Sequence, residues 1–131
     1  MVNGSKAVLV IDDDYKCQMS CSAMLQKMGF IVSVADTGTQ AVKIFSESPD
    51  DFDLIVLDLL MPEVHGCEVH ELLRLQNPEI MILFACGIFF FEHMIDMLKY
   101  AVNGFIQKPF SYYQLKRKVD RLLGAKLIGS F

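Results

Sequence analysis

Short all-apolar runs alternate along the chain with longer stretches in which apolar positions recur every three or four residues. The first kind reads as strand and the second as helix. Residues 7–11 are apolar throughout, as in a strand covered on both faces, and they stop at Asp12-Asp13-Asp14. Cys17, Cys21, Met24, Leu25 and Met28 then repeat at helical spacing until Gly29, which suits a C-cap. Residues 30–35 are the second expected strand. Thr37 caps a helix whose inward face is Ala41, Val42, Ile44 and Phe45, broken by Pro49-Asp50-Asp51. The third strand, 54–57, ends at Asp58. After a turn over 61–66, a helix with apolar face Val69, Leu72 and Leu73 closes near Asn77-Pro78. The fourth strand covers 80–85. Beyond Cys86-Gly87 a fourth helix runs through Met94, Ile95, Leu98 and Ala101, and residues 105–107 form a short fifth strand ended by Lys108-Pro109. Ser111 with Gln114 makes a capping box for a last helix that turns Leu115, Val119, Leu122 and Leu123 inward.

Five strand–helix alternations with apolar strands predict an α/β fold, a doubly wound parallel sheet with helices on both faces. The chain has 131 residues, one domain's worth, which excludes a multidomain enzyme. The expected division is an N-terminal extension over 1–6, the domain over 7–124 and a frayed tail over 125–131. At 53% hydrophobic and 21% charged residues, the composition lies far from that of disordered chains. A formal net charge of −4 gives no electrostatic footprint for a nucleic acid. No apolar run reaches the roughly 20 residues of a membrane helix, and no secretory signal precedes the first strand. The cysteines at 17, 21, 67 and 86 form no C-x-x-C pair and read as reduced thiols of a cytoplasmic protein.

In parallel sheets ligands sit at the carboxyl edge of the strands. Strand one ends there in Asp12-Asp13-Asp14, strand three in Asp58, strand four in Cys86 and strand five in Lys108. Crowded carboxylates repel one another unless a cation sits among them. A hard divalent ion, Mg²⁺, is suited to such an oxygen-only site. A carboxylate nucleophile, a metal and a lysine are the parts for moving a phosphoryl group. Asp58, the lone acid on the third strand, is the expected nucleophile; Asp12 and Asp13 are adjacent and suit the metal. Asp14 reads as a helix-start residue.

The motifs IDDD at 11–14, DLLMPEVHG at 58–66 and GFIQKPF at 104–110, in this order and spacing, resemble a response-regulator receiver domain over nearly the whole chain. The resemblance implies a flavodoxin-like sheet of order 2-1-3-4-5. It implies that Asp58 accepts phosphate from a histidine of a kinase or its phosphohistidine domain. It further implies that Asp12, Asp13, Asp58 and the backbone carbonyl of Leu60 bind Mg²⁺, and that Lys108 holds a phosphoryl oxygen. Phe105 falls at the position of an aromatic that swings inward on activation, and the Lys108-Pro109 bond matches one usually cis. On this reading the chain is a phosphoacceptor in two-component signalling and not an enzyme. The run NPEI followed by ACG and GFIQKPF is similar to receivers at the C-terminus of hybrid sensor histidine kinases.

Some positions depart from the receiver pattern. Cys86 stands where receivers carry Thr or Ser, and a thiol is a weak donor, which predicts impaired switching even where Asp58 reacts. The alternative function is therefore a pseudo-receiver that docks partners without phosphate. Beside Lys108 the Cys86 thiol is expected to have a lowered pKa, although a buried structural cysteine is the plainer reading. Leu60 and Ile88 occupy the two variable positions that modulate hydrolysis, and being apolar they predict a long-lived acyl phosphate. His65 replaces a usual Asp or Asn in a turn. Phe89-Phe90-Phe91 either leaves a ring exposed, giving a partner or homodimer surface near the fourth helix, or is hidden by local repacking.

His70 and His93 lack ligand-spaced partners and read as solvated helix positions. Cys17 and Cys21 share a helical face and read as core. A haloacid-dehalogenase-like phosphatase needs D-x-D-x-[T/V] on strand one, whereas this chain has Asp12-Asp13-Asp14-Tyr15-Lys16. A flavodoxin-like carrier needs a hydroxyl-rich phosphate loop where this chain is acidic.

Overall fold

The computed structural model describes residues 6–59, 66–87 and 103–128. In chain order these form β1 (Lys6–Ile11), α1 (Tyr15–Lys27), β2 (Phe30–Ala35), α2 (Gly38–Glu47), β3 (Leu54–Asp58), α3 (Gly66–Gln76), β4 (Met81–Cys86), β5 (Gly104–Gln107) and α4 (Tyr112–Ile128). The expected helix through Met94 and Ala101 lies outside the described residues, so α4 is the C-terminal helix. The five strands make one sheet of order β2-β1-β3-β4-β5, and every pairing is parallel.

Side chains of a strand alternate between faces, and the central strands supply apolar residues to both. Val8, Val10, Leu54, Val56, Leu83 and Ala85 pack with Cys21 and Leu25 of α1 and with Leu115, Val119 and Leu123 of α4. Leu9, Ile11, Ile55, Leu57, Ile82 and Phe84 pack on the other side with Ala41 and Phe45 of α2 and Val69 and Leu73 of α3. This double cover is why β3 is buried at all five positions and reads as a continuous apolar run.

The caps follow the sequence. The Asp14 carboxylate accepts from the Lys16 and Cys17 amides and starts α1, and the Thr37 hydroxyl accepts from Gln40 N. Ser111 and Gln114 close both halves of a capping box. Gly29, at φ +100°, adopts the left-handed conformation that ends α1. The Lys108-Pro109 bond is cis.

Several expectations need correction. The buried stripe of α1 is Gln18, Cys21, Ser22 and Leu25, so Cys17, Met24 and Met28 are only half-buried. On α3, Leu72 faces outward, and the inward face is Val69, His70 and Leu73. His70 is buried because its ring packs on Phe84, at a centroid distance of 5.4 Å, while Arg74 extends alongside and donates from Nε to its Nε2 at 3.2 Å. β1 begins one residue early, at Lys6. α4 continues past Gly124 to Ile128 where fraying was expected. A helical glycine costs about 1 kcal/mol relative to alanine, an amount that burial of Leu115, Val119 and Leu123 against the sheet readily offsets.

Candidate functional site

Parallel register brings the strand ends together. Asp12 follows the last residue of β1, and its amide donates to Ala35 O at the end of β2. Asp58 is the last residue of β3, opposite Ala85 of β4. Lys108 follows β5, and its amide donates to Cys86 O at 2.7 Å. Each functional side chain thus leaves a paired backbone at the same edge.

Carboxylate oxygens of Asp12, Asp13 and Asp58 all lie within 4.8 Å of one another. Asp12 and Asp58 are buried, while Asp13 is exposed and gives the cluster its opening to solvent. Lys108 Nζ reaches Asp12 Oδ2 at 2.7 Å and Asp58 Oδ2 at 3.4 Å. Burial alone would lower the pKa of this ammonium, but its hydrogen bond to Asp12 and the charges of Asp58 and Asp12 outweigh burial and hold it above the ordinary lysine range. Lys108 is therefore a permanent cation at neutral pH. Three carboxylates against one ammonium leave the cluster negative, and this donor set fits a hard divalent cation.

The thiols behave differently from expectation. Cys86 is buried at the end of β4, and its pKa is raised, chiefly by burial and then by Asp58, with Lys108 opposing. The lowered value expected from Lys108 alone is corrected accordingly, because loss of water outweighs one nearby cation. Burial also raises Cys17, and it pushes Cys21 up to about 12. All three are free thiols.

Phe105 is half-buried and stacks on Phe84 with ring centroids 6.0 Å apart. Leu60, His65, Ile88, His93 and the three phenylalanines at 89–91 lie outside the described residues. Gln18 was missed by the sequence reading. Its Nε2 donates to Asp12 O at 3.1 Å and to Asp36 Oδ1 at 2.7 Å, and it binds Ala35 O weakly at 3.4 Å, so α1 braces the ends of β1 and β2. The available signal was a glutamine in register with Cys21, Ser22 and Leu25 on one helical face.

Residues 8–120 match the response regulator receiver domain. The chain belongs to that family, the phosphoacceptor domains of two-component signalling. It is 30% identical over 123 residues to the transcriptional regulatory protein CusR of Escherichia coli, covering 92% of this chain and 53% of CusR. It is 32% identical over 122 residues to the sensor kinase CckA of Brucella abortus, covering 93% of this chain and 13% of CckA. The chain thus spans about half of one relative and a small part of the other. Among solved structures, a receiver domain protein from Clostridium thermocellum superposes with a TM-score of 0.87 at 21% identity, covering 94% of this chain and 98% of that one. The response regulator TrrA of Thermotoga maritima, in complex with Mg²⁺ and BeF, superposes with a TM-score of 0.78 at 29% identity, covering 89% and 98%. Among the described residues no helix is long and apolar enough to cross a membrane.

Proposed function

We propose that Asp58 accepts a phosphoryl group from a phosphohistidine of a histidine kinase or its phosphotransfer domain. The observation that carries this reading is the meeting of Asp12, Asp13 and Asp58 within 4.8 Å, with Lys108 in reach of two of them. Asp12, Asp13 and Asp58 would hold Mg²⁺, with the Leu60 carbonyl as the ligand drawn from family resemblance. The metal, when bound, neutralises charge on the phosphoryl oxygens. A bond forms from an Asp58 carboxylate oxygen to phosphorus as the phosphorus–nitrogen bond breaks and the imidazole leaves. Lys108 moves its ammonium from Asp12 toward a phosphoryl oxygen. The Mg²⁺ and BeF held by TrrA support the same arrangement.

A cytoplasmic setting agrees with the free thiols. Origin as the receiver of a hybrid sensor kinase is one of two parentages that the relatives support, since a transcriptional regulator and a sensor kinase both match. Dimerisation through the face of the expected helix between β4 and β5 belongs to residues outside those described. Cys86 favours a second reading, a pseudo-receiver that binds partners with its switch impaired, because its buried thiol is a weak donor at the hydroxyl position.

Intact mass after incubation with Mg²⁺ and acetyl phosphate tests the reading. The wild type should gain one phosphoryl group and Asp58→Asn none. A wild type that gains nothing would favour the pseudo-receiver.

A further inference from the structure

The acidic cluster opens into a cavity of about 340 Å³ that runs between α1 and the loop after β5. Its interior is mainly apolar, with walls from Val10, Val56 and Ala85 of the sheet, Cys17 and Cys21 of α1, and Phe110. An apolar cavity of about 150 Å³ already accepts a benzene molecule, so this one has room for a ring and its substituent. Asp12, Asp58 and Lys108 line its wall and Lys16 its rim. With Asp13, whose carboxylate clusters with those of Asp12 and Asp58, three carboxylates stand against the two ammonium groups of Lys16 and Lys108, a formal excess of one negative charge at this end of the cavity. An independent observation comes from Cys21. Its side chain lines the cavity and is 4% exposed, yet its thiol has no hydrogen-bond or disulfide partner among the described residues. A buried, unpartnered thiol is a soft, polarisable contact for an aromatic ring.

We propose that this cavity binds a small organic monocation, an aromatic amine or amidine, with its apolar body between Cys17, Cys21 and Phe110 and its charged head at the carboxylates. The head takes the position of the divalent cation, so such a ligand and Mg²⁺ exclude one another and the bound receiver cannot take up phosphate. This last consequence rests on the phosphoacceptor reading, whereas the binding itself does not.

Benzamidine is the probe, titrated into the whole chain while amide signals of α1 and the strand ends are followed by NMR. Saturable binding is expected, with neutral benzamide of the same shape at least about tenfold weaker. Cys17→Leu, which extends a branched side chain into the cavity, should weaken benzamidine by a similar factor. If circular dichroism finds that variant unfolded, Ser20→Leu makes the same test from an exposed position of the lining. Mg²⁺ should raise the apparent Kd in proportion to its concentration. Equal binding of benzamide, or benzamidine binding that a folded filling variant leaves unchanged, overturns the proposal, as does benzamidine binding unmoved by Mg²⁺ that is itself seen to bind. If Mg²⁺ alone does not bind, or acetyl phosphate leaves the mass unchanged, the phosphoacceptor reading fails, and the benzamide and filling-variant comparisons still decide the cavity.

Discussion

Lys108 lies between two buried carboxylates, and its removal tests how the cluster tolerates its own charge. Lys108→Gln leaves Asp12 and Asp58 facing each other without their shared cation. The expected loss is roughly 1–3 kcal/mol in the presence of a chelator, with most of it restored by Mg²⁺. Urea unfolding with EDTA and with excess Mg²⁺ measures both, and equal losses in the two conditions would contradict the argument. A raised thiol pKa lowers the thiolate fraction, so Cys86 should alkylate with iodoacetamide at pH 7.5 at least about tenfold more slowly than free cysteine, as read by peptide mass mapping. The four charged groups were legible because each ends a strand and parallel strands share one carboxyl edge. The Cys86 shift was not, because its sign is decided by loss of water around the thiol, which a neighbouring lysine in the sequence does not report.

Helices were legible as elements but less so in their rotation. Apolar residues on α1 and α3 suggested faces that the structure turns by about one position, since Gln18 and His70 are buried where Cys17 and Leu72 were expected. In both cases a polar side chain enters the interior because it finds a partner there: Gln18 reaches strand-end carbonyls, and His70 lies on Phe84 beside Arg74. Arg74 is the larger investment. It donates to Pro78 O at 3.0 Å, Ile80 O at 2.7 Å and Asn103 Oδ1 at 2.6 Å, and Asn103 Oδ1 also accepts from Ile82 N. Burial lowers its pKa, and a guanidinium keeps its charge in proteins. The guanidinium therefore ties α3 to the start of β4 and the approach to β5. Arg74→Ala should cost roughly 2–3 kcal/mol, against about 1 kcal/mol for Thr37→Ala, which removes only the α2 cap. Urea midpoints of the two variants, compared with wild type, check the ranking.

At the scale of the molecule the sheet and its two helical layers follow from strands apolar on both faces, and that pattern made the fold legible before any family resemblance was considered. The cavity beside the acidic cluster was not legible, since it arises from small side chains on different elements, Cys17, Ser20, Cys21 and Ala85, that meet only in the folded chain. Alkaline stability depends on the same region. The folded-state pKa values of Lys108 and Cys21 are both raised, Cys21 to about 12. A raised group contributes fully below its unfolded pKa, about 10.4 for lysine and about 8.5 for cysteine. That contribution is lost as pH rises through the folded value. Stability should therefore be flat near pH 7 and fall from about pH 9 upward. Cys21→Val should fall less steeply between pH 8.5 and 10.5 in urea titrations, and parallel curves would remove Cys21 from the account.

One further consequence follows from the reach of Lys108. Its backbone is fastened to the end of β4 while its side chain crosses β3 to grip the residue after β1, so in the resting molecule a single flexible tether spans the rim of the sheet. A tether of that length has one free end. Whatever draws the ammonium further toward the middle strand loosens its closer hold on the first, so arrival of a charged group at Asp58 would be felt at Asp12 as a loss.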